Sequence, residues 1–235
     1  KIPFMPFNLK SYCFWNNYFK DNKLDISGIA AGPELDLDLS HADNLKVDFY
    51  LSKIWLGGTE YSTKTQYTCT WKRKWGDGWY SDLRLRAGQK SYDDEESENL
   101  DGDQTRARTR IWVYPDGYAH IDRIRFTGEY TIETADEDYL DWSGASVGME
   151  VRWKLRNDVK ITTGASCENR LYEEVHPDFG VKRDEFRVEG LLELAIDLSE
   201  ALSIYGKVEQ AFSESNIGFF EYNRTLIGIG ITVFY

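Results

Sequence analysis

A period of two runs through this chain. In Tyr222-Asn-Arg-Thr-Leu-Ile-Gly-Ile-Gly-Ile-Thr-Val-Phe-Tyr235, one row reads Ile227, Ile229, Ile231, Val233 and Tyr235, and the other Arg224, Gly228, Gly230 and Thr232. Successive residues of a strand point to opposite faces, so this segment has one greasy face and one small or polar face. The greasy row needs either a protein core or lipid against it.

The same alternation recurs near 11–20, 25–40, 45–55, 61–74, 79–91, 105–114, 118–133, 140–156, 159–172, 185–198 and 202–213, which makes twelve strands with the last. The clearest rows are Val47, Phe49, Leu51; Ile124, Phe126, Tyr130, Ile132; Val147, Met149, Val151, Trp153, Leu155; and Phe186, Val188, Leu192, Leu194, Ile196, Leu198. In the first segment the phase is open: either Cys13 and Trp15 or Phe14 and Tyr18 face outward.

Every other connection is short and rich in turn formers: His41-Ala-Asp-Asn44, Gly76-Asp-Gly78, Pro115-Asp-Gly117, Arg156-Asn-Asp158 and Ser199-Glu-Ala201. The intervening ones, at 92–104, 134–139, 173–184 and 214–221, are longer, although Asp21-Asn-Lys23 and Gly57-Gly-Thr-Glu60 are brief. Short turns on one rim and longer loops on the other suit a transmembrane barrel, and an even strand count puts both termini on one side.

Both the alternation and the aromatic ending of the last strand resemble bacterial outer-membrane β-barrels. The resemblance implies an all-β fold: a transmembrane antiparallel up-and-down barrel of about twelve strands with both termini in the periplasm. Residues 1–235 are read as one domain, without internal repeat or linker. Tyr222-Asn-Arg-Thr225 also resembles the final strands of the C-terminal barrels of envelope exporters, which leaves room for an upstream domain.

Composition agrees. At 29% charged residues no run approaches the roughly 18 apolar residues of a membrane helix, whereas a barrel spreads its lipid face over alternate positions. Trp71, Trp75 and Trp79 flank one short turn, and Trp55, Tyr61 and Trp142 fall near the opposite rim, as two membrane interfaces require. The competing fold is a soluble sandwich or lipocalin-like barrel, but twelve long strands would enclose a wide apolar cavity needing bulkier filling. The expected environment is therefore outer-membrane lipid and lipopolysaccharide.

If the greasy rows face lipid, parity assigns the inward residues. Arg84, Arg86, Arg106, Arg108, Arg110, Arg123, Arg125, Arg152, Lys154 and Arg156 point inward, against Asp82, Glu129, Asp141 and Glu150. The other strands add an acidic set that includes Glu34, Asp48, Glu168, Glu185, Glu189 and Glu193, against Lys46, Lys160, Arg170, Arg187, Lys207 and Arg224, while Lys64, Lys72 and Lys74 join the basic side. A basic wall opposite an acidic wall is the expectation. A guanidinium ladder offers bidentate donors to carboxylates or phosphates, and fixed charge sets pore selectivity.

In size, strand count and arginine-rich polarity the chain resembles the monomeric oligogalacturonate- and sialate-type porins, which implies passage of small anionic solutes. The alternative is a non-conducting barrel whose salt bridges brace the lumen and which scaffolds envelope protein partners. A net charge of -12 without a continuous basic surface argues against nucleic acid.

No catalytic residue, cofactor or metal site is expected. His41 and His120 fall at short turns, and His176 sits in a loop beside Asp178, facing Asp136 and Asp138. A loop histidine beside acids is far more often solvated than catalytic. The acidic run Asp93–Asp103 matches no ordered calcium loop. Cys13, Cys69 and Cys167 are odd in number and read as unpaired thiols.

Overall fold

The computed structural model describes residues 7–16, 26–93, 101–115, 120–199 and 201–233. Twelve strands form one antiparallel sheet in chain order: β1 (Phe7–Asn16), β2 (Ile26–Asp38), β3 (Asp43–Leu56), β4 (Thr59–Gly76), β5 (Trp79–Tyr92), β6 (Gly102–Val113), β7 (Ile121–Ala135), β8 (Trp142–Lys154), β9 (Val159–Val175), β10 (Lys182–Ser199), β11 (Leu202–Ser215) and β12 (Tyr222–Val233). Strands consecutive in the chain are neighbours throughout the sheet, the up-and-down order expected from the alternating segments. The strands run from 10 to 18 residues, and a tilted strand needs about 9–11 to cross the hydrocarbon core.

Burial is inverted relative to a soluble protein. Val147, Met149, Phe186, Leu192 and Ile229 are exposed, whereas Glu34, Asp82, Thr70, Gln104 and Glu185 are buried. Oil lies outside and polarity inside, which excludes the sandwich and lipocalin readings and marks the outer face as one made for lipid. The sheet is curled: residues from β6 through β12 line a single cavity. Among the described residues no pairing joins β12 back to β1.

The turns at 39–42, 77–78 and 155–158 share one rim with the start of β1 and the end of β12, called here the terminal rim. The loops at 57–58, 136–141 and 216–221 lie on the opposite, loop rim. In the β4–β5 turn, Gly78 has φ +76, and a Cβ there would meet the Tyr114 carbonyl at 2.5 Å, so glycine alone fits the turn. The expected turns at Pro115–Gly117 and Ser199–Ala201 fall partly outside the described residues, as does most of the acidic run after Asp93.

β1 starts four residues earlier than the 11–20 segment read from the sequence. Lys10 reaches Glu34 at 2.7 Å and so points inward, which settles the phase: Cys13, an odd position, faces outward opposite Ile29. Side chains of 14–16 lie outside the described set. The three thiols Cys13, Cys69 and Cys167 are free. Tyr12 also points inward and packs on Tyr50, with ring centroids 6.2 Å apart.

Candidate functional site

The lumen inherits its chemistry from parity. Along β5 the burial alternates so that Asp82, Arg84, Arg86, Gly88 and Lys90 are the shielded set and Leu83, Leu85 and Ala87 the exposed one. Arg106, Arg108 and Arg110 on β6, Arg123 and Arg125 on β7, and Arg152 and Lys154 on β8 share that inward face. Arg156 does not. It lies in the turn beyond β8, largely exposed, and pairs with Asp158 at 3.2 Å. Asp141 likewise leaves the wall, because it precedes β8 and accepts the Ala135 N–H at 2.6 Å. In their place stand Lys90 and Glu133, which pair at 2.8 Å near the loop rim. Both have the correct parity and lie inside the segments 79–91 and 118–133 read from the sequence, so the alternation alone was enough to find them.

The ladder sets like charges against each other. Arg84 is the direct partner of Arg108, and Arg86 of Arg106. Directly opposed residues have Cβ atoms about 4.5–5.5 Å apart, so these pairs repel. Part of the wall is neutralised. Arg110 holds Asp82 through two nitrogens, with Nε at 3.1 and 3.2 Å from the carboxylate oxygens. Arg123 and Arg125 share Glu150, and Arg106 lies 3.4 Å from Glu129. Among the described residues Arg84 donates to the Thr70 hydroxyl alone, at 3.2 Å. Among the described residues Arg84, Arg86, Arg108, Arg152 and Lys154 have no carboxylate within 4.0 Å.

The acidic residues lie across from them. Glu189 is laddered to Ser166 and Ala211, and Glu193 to Thr162 and Lys207. Glu189 and Glu209 line the same cavity of about 370 Å³ as Arg108, Arg110 and Arg125. The space between exists because several intervening inward positions are small: Gly148 and Ser166 are direct partners, and Gly164 faces Glu150. Basic and acidic faces thus share one open volume at this level.

Nearer the loop rim the lumen on the β8–β11 side is filled. Trp142 was expected in the lipid girdle, but it is the first residue of β8 on the inward parity and is buried, with Arg170 4.4 Å from its ring centroid. Its ring also occupies the space over Gly144. Arg183 stacks on Tyr172 and on Phe220, at 4.2 and 3.6 Å, while pairing with buried Glu185. His176 sits among Tyr139, Phe179 and Phe220, with centroids 5.0, 4.8 and 5.6 Å away, and its Nδ1 accepts the Asp178 N–H at 3.3 Å. Three loops therefore meet in one aromatic cluster.

That cluster rests on a short repeat that the sequence reading overlooked. A 3-10 turn, an acid and an inward aromatic occur as Asp138-Tyr-Leu-Asp-Trp142 and again as Gly218-Phe-Phe-Glu-Tyr222. Trp71, Trp75 and Trp79 do face outward at the terminal rim, where the Trp71 and Trp75 indole N–H groups donate to Asp43 and Ser81. His41 and His120 sit at terminal-rim turns, as expected. Among the described residues no group of three His, Cys, Asp or Glu side chains could hold a metal ion.

No protein-family model matches the chain. No curated protein matches it by sequence. Solved structures do share its fold. The NanC porin superposes over 97% of this chain and 99% of its own length, with a TM-score of 0.54 at 7% identity. The copper transporter OprC gives 0.49 at 9% identity over 97% of this chain and 42% of that one. The translocator domain of the autotransporter NalP from Neisseria meningitidis gives 0.41 at 10% identity over 98% and 87%. The chain has the outer-membrane β-barrel fold of the first.

Proposed function

We propose that this barrel sits in the bacterial outer membrane as a channel for passive passage of small hydrophilic anions, with the terminal rim in the periplasm. The observation that carries this reading is the pair of cross-strand contacts Arg84–Arg108 and Arg86–Arg106. A barrel built only for bracing gains nothing from guanidinium groups set against each other with no carboxylate on three of the four. Their mutual repulsion, about 0.2–1 kcal/mol per pair, is relieved when an anion lies between them. Arg108, Arg110, Arg125, Glu189 and Glu209 around one cavity add a transverse field, which orients a dipolar solute and favours an anion along the basic side. Arg123, Arg152 and Lys154 would continue that track toward the terminal rim, and Glu193 the acidic one.

The test is conductance of the purified chain in planar bilayers under a salt gradient. Discrete openings whose reversal potential marks anion preference, reduced in Arg108→Ala and Arg125→Ala, are the expected result. Absence of openings, or a cation preference that neither variant moves, removes the reading.

A second reading has its own observation. Lys10–Glu34–Lys46, Arg110–Asp82 and Arg123–Glu150–Arg125 tie neighbouring strands from inside, and the loop-rim cluster narrows the mouth. A silent barrel that anchors a larger envelope assembly would use the same braces. It would leave the bilayer current at baseline and copurify with its partners. We assign His176 no hydrolytic role, because its Nδ1 is engaged with the backbone of its own loop.

A further inference from the structure

Aromatic rings at a membrane interface belong on the lipid side, and Trp71, Trp75 and Trp79 are there. Three others at the same rim are on the water side. Tyr80 of β5 and Trp112 of β6 have inward parity, and Tyr114 follows one residue after β6. Tyr80 and Tyr114 meet edge to face at 5.5 Å and stay 39% and 40% exposed. The Arg110 guanidinium lies 4.8 Å from the Trp112 ring centroid. With Lys72, Lys74 and Arg84 these rings line a cavity of about 470 Å³ at the terminal-rim mouth.

The carboxylates in that cavity are engaged. Asp82 is held by Arg110, Asp43 accepts from Trp71 and Ser40, and Asp38 accepts from Asn44 at 3.1 Å. Among the described residues Lys72, Lys74 and Arg84 have no carboxylate within 4.0 Å. The cavity therefore offers Lys72, Lys74 and Arg84, none of them paired to a carboxylate among the described residues, beside the exposed rings of Tyr80 and Tyr114 and the half-buried ring of Trp112, a combination that neither lipid anchoring nor bracing requires.

We infer that this mouth is a binding site for an organic anion with a flat apolar body. The acid group would be held by Lys72, Lys74 and Arg84, and the flat face by Tyr80, Trp112 and Tyr114. Ring stacking discriminates such a ligand from a simple anion, while the ammonium groups discriminate it from a neutral arene. The site stands whether or not the lumen conducts, so its test is at equilibrium.

Calorimetric titration of the detergent-solubilised full chain with naphthalene-2-carboxylate and with acetate reads it directly. The aromatic acid is expected to bind at least about 10-fold tighter than acetate, the equivalent of one good stacking contact. Lys72→Gln with Lys74→Gln should weaken the aromatic acid by about 10-fold, and Trp112→Ala should erase most of its advantage over acetate. Both lysines are exposed at the rim, so their replacement spares the fold. If Trp112→Ala fails to fold, Tyr114→Ala, outside the strand ladder, serves instead. Equal affinity for the two acids overturns the inference, as does aromatic binding that none of these variants moves, which would be partition into the micelle.

Discussion

Arg84 of β5 lies directly across the strand ladder from Arg108 of β6, and one inward pair closer to the loop rim Arg86 faces Arg106. Such a two-by-two block of guanidinium groups works against the sheet that holds it. Replacing Arg84 and Arg108 together by Gln is therefore expected to leave stability unchanged or to raise it by up to about 1 kcal/mol. The same change should lower anion selectivity. Denaturant unfolding in detergent and the reversal potential in a bilayer measure the two effects, and loss of both stability and selectivity would identify the block as a brace.

Asp82 behaves in the opposite way. It is fully buried, it takes both ends of the Arg110 fork, and it lies opposite Lys72 on the other flank. Asp82→Asn should leave half-buried Arg110 without its counter-ion, at a cost below the usual range of about 3–5 kcal/mol for breaking a fully buried pair from one side. Adding Arg110→Gln should recover much of that loss. A double-mutant cycle by denaturant unfolding checks the coupling.

Most of the architecture was legible because lipid leaves a simple imprint. Alternate greasy residues such as Val147, Met149 and Val151 can only repeat with period two, and the turn residues Gly76-Asp-Gly78 mark where the count restarts. Parity alone places Arg84, Arg86, Arg106, Arg108, Arg110, Arg123, Arg125, Arg152, Lys154, Glu189 and Glu193 on the inner face. What parity leaves out is depth and company. Trp142 has the composition of a girdle residue, yet it turns inward because β8 starts there and Gly144 gives its ring a seat. The partners of each arginine depend on cross-strand register, which a single sequence states only loosely. Hence Arg110–Asp82 and Arg84–Arg108 carry opposite meanings although all four residues share a face.

Arg183 organises the loop-rim cluster by stacking on Tyr172 and Phe220 while pairing with Glu185. Arg183→Ala should release the loops at 176–181 and 216–221 without unfolding the strands, because the ladder between β10 and β11 from Glu185 to Ser199 does not depend on it. A cation stacked on a ring contributes about 0.5–2 kcal/mol, so the loops should open in a detectable fraction of molecules. Faster amide exchange and protease cutting confined to these loops is the expected outcome. If the lumen conducts, a larger single-channel current should accompany it.

The last strand carries the most exposed aliphatic row of the barrel, with Ile227, Ile229 and Ile231 at 77%, 88% and 68%. Its ladder runs to β11 alone, and that of β1 to β2 alone. Two strand edges left open in hydrocarbon would each expose unpaired N–H and C=O groups, at several kcal/mol per group. No ring of greasy side chains offsets that, so β1 and β12 are expected to pair antiparallel in the membrane. Amides facing across the seam, on β1 and β12, should then exchange as slowly as those between β8 and β9 in a bilayer nanodisc. Fast exchange confined to the seam would mean an open edge and would predict capture of an added strand peptide there. Slow exchange combined with a cysteine cross-link between β1 and β12 would close the barrel chemically and give its register.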